Sequence, residues 1–130
     1  MLRRLDHTGF AVAVLEPSIE LFRDVLGARV GPIFEDPIQR VRLCFADFDG
    51  IRVELIAPLG PDSPVTNIIA SGGGAYHLCF ETDDFEAELE RLRGAGFAPV
   101  SMPQPAVAFG GRRVAFLFNR TARLIELVES

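Results

Sequence analysis

Lysine is absent: all thirteen basic side chains are arginine, and eighteen acids outnumber them for a net charge of −5. That balance excludes the basic surface a nucleic-acid partner requires. No apolar run approaches the ~20 residues needed to span a bilayer, so no membrane partner is expected. The N-terminal stretch from Met1 to His7 carries two arginines but no apolar segment that would make it an export signal, which leads us to expect a cytoplasmic protein. Cysteine is scarce, and Cys44 and Cys79 fit free thiols in a reducing compartment rather than a stapled secreted scaffold. Only two histidines occur, His7 and His77. What is plentiful is apolar: 48% of the 130 residues are hydrophobic, enough for one ordinary domain with a real core and too much for a disordered tail.

The chain reads as one motif written twice. Asp6 to Val12 alternates in character like a half-buried strand. Pro17 to Leu26 is helical, with Leu15, Ile19, Phe22 and Leu26 on one stripe, Pro17 in the first turn and Gly27 at the stop. Strands follow at Val41–Phe45 and Ile51–Ile56, around the turn signal Asp47-Phe48-Asp49-Gly50. Some seventy residues on, the order recurs. Tyr76–Phe80 is a strand, and Asp83 with Glu86 forms a capping-box-like helix start. The helix runs through Phe85, Leu89 and Leu92 to Gly94 and Gly96, and strands return at Arg113–Phe118 and Leu124–Val128. There is room for a further strand near residues 28–34 and 97–101. Ser63-Pro64 opens a short connecting helix that ends at Ser71 and the glycines Gly72-Gly73-Gly74, read as a flexible connector. The chain thus divides into a first module (about 4–58), a connector (59–74) and a second module (75–130).

Four residues with metal-ligating chemistry fall at equivalent places in the two halves. His7 and His77 sit in the first strand of each, and Glu54 and Glu126 in the last. Alternation puts His7, Gly9 and Ala11 on one face and Phe10 and Val12 on the other, toward the helix; in the second half His77 and Cys79 face away from Leu78 and Phe80. A carboxylate flanked by Val53 and Leu55, or by Ile125 and Leu127, is costly to bury without a partner. One strand histidine alone is usually a hydrogen-bonded core residue, and one such glutamate usually faces solvent. Two repeat-related pairs instead point to a single divalent cation held by His7, Glu54, His77 and Glu126, and two imidazoles with two carboxylates suit Ni, Co, Zn or Mn. Arg112 and Arg113, pointing to opposite sides of a strand, are candidates for binding a substrate carboxylate or phosphate, with pairing to a surface acid as the plainer role. Cys79 shares the histidine face but has no evident base and reads as a packed thiol.

Leu5 to Val12, Glu54 to Leu59 with Asp62 to Val65, Tyr76 to Glu81, and Arg113 to Leu117 leading to Leu124–Leu127 together resemble the vicinal oxygen chelate superfamily, which includes glyoxalase I, methylmalonyl-CoA epimerase, extradiol dioxygenases and antibiotic-resistance proteins. The resemblance covers nearly the whole chain. It implies an α+β fold of two tandem βαβββ modules forming a curved, mostly antiparallel sheet cleft, each module giving two ligands to one cation.

Within that superfamily the His, Glu, His, Glu set matches bacterial glyoxalase I, and the second half looks like small clostridial-type glyoxalases. There a ligand carboxylate moves the proton, which assigns Glu126 as catalytic residue with Glu54 its counterpart, acting on a glutathione hemithioacetal. Glu54 to Val65 is similar instead to methylmalonyl-CoA epimerase, which implies an acyl-CoA thioester substrate. That family's further proton-transfer glutamate falls on Ile38 here, with Glu35 and Asp36 nearby. The order expected is therefore a glyoxalase I-like lyase first, an acyl-CoA epimerase second, and a non-catalytic, bleomycin-resistance-like binding protein third. A free sheet edge is compatible with a homodimer.

Overall fold

The computed structural model describes all 130 residues. Ten strands and three short helices make a mixed α+β fold in which most strand pairs are antiparallel. By packing, the chain forms two compact units: His7–Tyr76, and Met1–Asp6 together with His77–Ser130.

In the first unit, β1 (Arg4–Ala11, its first three residues belonging to the other unit) runs parallel to β5 (Ile51–Pro58), with Gly9 opposite Glu54 and Phe10 opposite Leu55. β5 is antiparallel to β4 (Val41–Phe48), which also carries the short β2 (Arg29–Val30) and β3 (Phe34–Asp36). The β4–β5 hairpin closes through Asp49 and Gly50, both at positive φ (56° and 94°), and Asp47 Oδ1 accepts the Gly50 N–H at 2.7 Å. Both central residues at positive φ match the twist of the flanking strands, which is why a glycine follows an aspartate here. The core lies on one face: Cys44, Ala46, Leu55 and Ala57 from the strands meet Leu15, Phe22 and Ala28.

The first helix starts at Leu15 rather than Pro17. α1 spans Leu15–Glu20 and continues as a π turn over Leu21–Val25, where the Leu26 N–H reaches back five residues to the Leu21 carbonyl. A π turn advances each residue by less than the 100° of an α-helix, so the apolar stripe drifts. Leu15 and Phe22 are buried as expected, but Leu26 is rotated out and 52% exposed, and Ala28 fills its place in the core. Gly27, at φ 84°, ends the helix.

α2 (Val65–Ala70) begins as expected at Ser63-Pro64, with Ser63 Oγ accepting from the Val65 N–H. The connector glycines Gly72-Gly73-Gly74 lead directly into the next strand. All three have positive φ, Gly74 already belongs to β6 (Gly74–Thr82), and a Cβ on Gly73 would stand 3.0 Å from the Ala11 carbonyl oxygen.

In the second unit, β6 runs parallel to β10 (Arg123–Glu129), which is antiparallel to β9 (Arg113–Asn119). β9 also carries the short β7 (Ala98–Pro99) and β8 (Gln104–Pro105), so each expected extra strand is in fact two fragments. A 3₁₀ turn at Val107–Phe109 follows β8. α3 (Phe85–Gly94) lays Phe85 and Leu92 on Ala115, Leu117, Ile125 and Leu127. Its cap is Asp84, whose side chain accepts from the Ala87 N–H at 3.3 Å, one residue beyond the expected Asp83. Thr82 Oγ1 accepts the Asp84 N–H and sets that register, while Asp83 turns to Arg3 at 3.5 Å. No helix is long and apolar enough to cross a membrane.

Candidate metal centre

Each unit contains one buried histidine–glutamate pair. In the first, His7 sits two residues before Gly9, the strand partner of Glu54, and its Nε2 lies 3.2 Å from Glu54 Oε1. In the second, His77 sits two residues before Cys79, the strand partner of Glu126, and its Nε2 lies 3.1 Å from Glu126 Oε1. All four residues are buried, with relative exposures of 1%, 5%, 4% and 3% for His7, Glu54, His77 and Glu126. Parallel pairing of first and last strands puts imidazole and carboxylate on the same sheet face, while Phe10, Leu55, Phe80 and Leu127 point to the helix side.

The second layer of each pair is also duplicated. Phe45 is the antiparallel partner of Glu54 and meets the His7 ring at 5.4 Å with planes at 65°. Phe116 is the partner of Glu126 and meets the His77 ring at 5.4 Å and 90°. An aromatic edge against an imidazole limits the ring rotations that would move Nε2. The sequence reading passed over both phenylalanines, although they recur at nearly the same interval as the histidines and glutamates.

The pair geometry fits metal ligation. Nitrogen and oxygen ligands each about 2.1 Å from one ion are roughly 3.0–3.4 Å apart in octahedral or tetrahedral geometry, the spacing both pairs show. Burying a carboxylate in such surroundings is costly unless a partner compensates it.

The arginines expected to bind substrate are engaged inside the second unit. Arg113 Nε and Nη2 each lie 2.6 Å from a carboxylate oxygen, of Glu129 and Glu86 respectively, and its guanidinium stacks over Phe85. Alternation along β9 puts it with Ala115 and Leu117, on the helix side and not with Phe116. Arg112 donates from Nε to the Phe109 carbonyl and from Nη1 to the Glu129 carbonyl.

The acids near Ile38 are engaged too. Glu35 pairs with Arg42 at 3.2 Å, and Asp36, 1% exposed, accepts the N–H groups of Ile38 and Gln39 to hold the turn after β3. Ile38 itself is 52% exposed. Of the thiols, Cys44 lies on the helix side, where burial first and Glu54 second push it up to about 11. Cys79 lies on the histidine face and is fully buried.

A family model described as glyoxalase/bleomycin resistance protein/dioxygenase superfamily matches residues 6–116. The chain belongs to that superfamily. Among its members, an ethylmalonyl-CoA/methylmalonyl-CoA epimerase of Cereibacter sphaeroides is 34% identical over 119 residues, covering 90% of this chain and 89% of the relative. The methylmalonyl-CoA epimerase of Mycobacterium tuberculosis superposes with a TM-score of 0.85 at 30% identity, covering 98% of this chain and 88% of that one. That of Streptomyces coelicolor, in complex with 2-nitronate-propionyl-CoA, gives a TM-score of 0.85 at 28% identity, covering 100% and 96%. A lactoylglutathione lyase of Haemophilus influenzae is 29% identical, covering 95% of this chain and 90% of its own, against the 34% of the Cereibacter sphaeroides epimerase. An enzyme of isomerase or lyase type, as the sequence suggested, agrees with all four superfamily members. The order of the two does not: the epimerases stand nearer than the lyase, which reverses the sequence-based preference for glyoxalase I.

Proposed function

We propose that the chain is a metal-dependent acyl-CoA epimerase, which removes and returns a proton at the carbon between a thioester carbonyl and a carboxylate. The observation that carries this reading is the duplicated pair, His7 with Glu54 and His77 with Glu126, each at ligand spacing and buried. The two imidazoles and two carboxylates would together hold one divalent cation, and Ni, Co, Zn and Mn all accept such a set. When bound, the cation supplies Lewis-acid stabilisation of the negative charge that develops on the substrate oxygen as the proton leaves.

The chain's own groups do the rest. Glu126 takes the proton as a carboxylate while Glu54, its counterpart in the repeat, enters the step as the acid and gives one to the opposite side, the two exchanging roles in the reverse direction, because inversion of a carbon needs an acid–base group on each side of it. Phe45 and Phe116 hold the imidazoles in place and keep an apolar wall beside each carboxylate. The similarity to epimerases, one of them solved with a CoA thioester analogue, supports the substrate class.

One observation favours a second reading. Ile38 stands where the epimerase resemblance implies a further glutamate, and Glu35 and Asp36 are engaged with Arg42 and with the backbone. A glyoxalase I-like reaction on a glutathione hemithioacetal would need no such residue. The deciding experiment incubates the purified protein with methylmalonyl-CoA in deuterated water, and separately with methylglyoxal and glutathione. Deuterium entering the acyl group, without thioester formation in the second mixture, is the expected result. The opposite pattern would replace the epimerase by the lyase.

A further inference from the structure

Arg112 and Arg113 stand side by side at the start of β9, and their charges are met differently. Arg113 lies over Phe85 on the helix side, held by the carboxylates of Glu86 and Glu129. Alternation turns Arg112 the other way, to the face of Val114 and Phe116, where Phe116 meets the His77 ring. There its side chain donates only to neutral acceptors, from Nε to the Phe109 carbonyl at 3.0 Å and from Nη1 to the Glu129 carbonyl at 3.1 Å. These two bonds fix the guanidinium and leave both N–H groups of Nη2 uncommitted. The neighbouring carboxylates are taken, Glu129 by Arg113, and Glu81, the register partner of Val128, by Arg4. A half-buried guanidinium with no anion against it is costly, and an anionic ligand would offset that cost.

The spacing suits one kind of anion. Arg112 is anchored at Glu129, three residues from Glu126 and so roughly 10 Å from it along β10. A carbon in contact with the Glu126 carboxylate, bearing a carboxylate of its own that hydrogen-bonds a guanidinium, spans about 8 Å, and the lean of the two side chains covers the difference. Between them Val114 and Val128, register partners at 2% and 0% exposure, form an apolar floor with no competing charge. The phosphates of CoA lie a whole pantetheine arm from the reacting carbon, well beyond this interval. Charge balance points the same way. Two carboxylates neutralise a divalent cation, so the ligand set by itself offers no net positive charge to a substrate that carries its own carboxylate.

We infer that Arg112 binds the free carboxylate of the substrate and so selects malonyl-type thioesters over simple acyl thioesters. This rests on the acyl-CoA reading above. Calorimetric titration of the metal-loaded protein with methylmalonyl-CoA, and with propionyl-CoA, which lacks the carboxylate, tests it without relying on turnover. Wild type should bind methylmalonyl-CoA about 10–100-fold more tightly than propionyl-CoA, the range expected for a charge-assisted contact. Arg112→Gln keeps a donor for one of the two carbonyls and removes the charge. In it the preference should fall to near one while propionyl-CoA affinity stays the same, and Arg112→Lys should lie between. Arg112→Met replaces the glutamine variant should the latter fail to fold. An equal loss of both affinities with the preference kept would make Arg112 a clamp for its own loop and overturn the assignment, as would the absence of a preference in wild type. Failure of both thioesters to bind wild type would instead overturn the acyl-CoA reading, and the assignment with it.

Discussion

His7 and Glu54 meet through Nε2 and Oε1 at 3.2 Å, and the fold makes that contact a second time, at 3.1 Å, between His77 and Glu126. The two contacts come from identical strand relationships, a parallel pairing in which the glutamate sits opposite the residue two beyond the histidine.

Removing one imidazole should release the metal. His77→Ala is expected to reduce bound divalent cation from about one equivalent per chain to a trace, measured by elemental analysis after gel filtration. The loss should exceed the roughly 10–100-fold that follows from removing a ligand's hydrogen-bond partner. Full occupancy in this variant would refute a shared centre.

Glu126→Gln separates proton transfer from ligation, because the amide keeps an oxygen donor but cannot act as a base. Deuterium exchange into methylmalonyl-CoA should fall about 10²–10⁴-fold, with a smaller loss of metal than in His77→Ala. Exchange at the wild-type rate would remove Glu126 from the catalytic role.

Glu88, 2% exposed on α3, pairs with Arg91 and with the Met1 ammonium at 3.0 Å. The Arg91 hydrogen bond, against the opposing effect of burial, holds its carboxyl below the ordinary value of 4.5, with the terminal ammonium adding to the shift. A carboxyl lowered on folding contributes its full stabilisation above its unfolded value, and that contribution is lost as pH falls through the folded value. Glu88→Gln should therefore cost about 2 kcal/mol in urea unfolding at pH 7, with the gap to wild type narrowing at pH 3. A gap that is constant with pH would assign the effect to packing instead.

Gly73→Ala tests the close approach after α2. The residue has φ 68°, and an added Cβ would stand 3.0 Å from the Ala11 carbonyl oxygen. Left-handed backbone costs a non-glycine residue about 1–2 kcal/mol, and displacing a backbone oxygen adds to it, so a loss of about 2–3 kcal/mol is expected in the same unfolding assay. An unchanged midpoint would mean the segment moves aside freely.

Much of this arrangement was legible because it depends on local periodicity. Alternation in β1, β5, β6 and β10 puts histidine and glutamate on the face away from the helix, and internal repetition pairs them without long-range information. The features that escaped depend on geometry that periodicity does not encode. The π turn that exposes Leu26 is one extra residue per turn in an otherwise ordinary apolar stripe. The cap fell on Asp84 rather than Asp83 because Thr82 fixes the register, and two adjacent aspartates give no local reason to choose. Phe45 and Phe116 look like core residues in a strand, and only the cross-strand register reveals that they touch imidazoles.

The two hairpins that deliver Glu54 and Glu126 are closed differently. The first turns through two residues, Asp49 and Gly50; the second through three, Arg120 to Ala122, with Asn119 Oδ1 accepting from Thr121 and Ala122 and with Arg123 at φ 64°. In both, the glutamate still arrives opposite a phenylalanine. Loop length at these tips is thus uncoupled from donor placement, so a graft that swaps one tip for the other should leave the ligand pairs intact. Inserting one residue inside β5 or β10 would turn the carboxylate toward the helix instead.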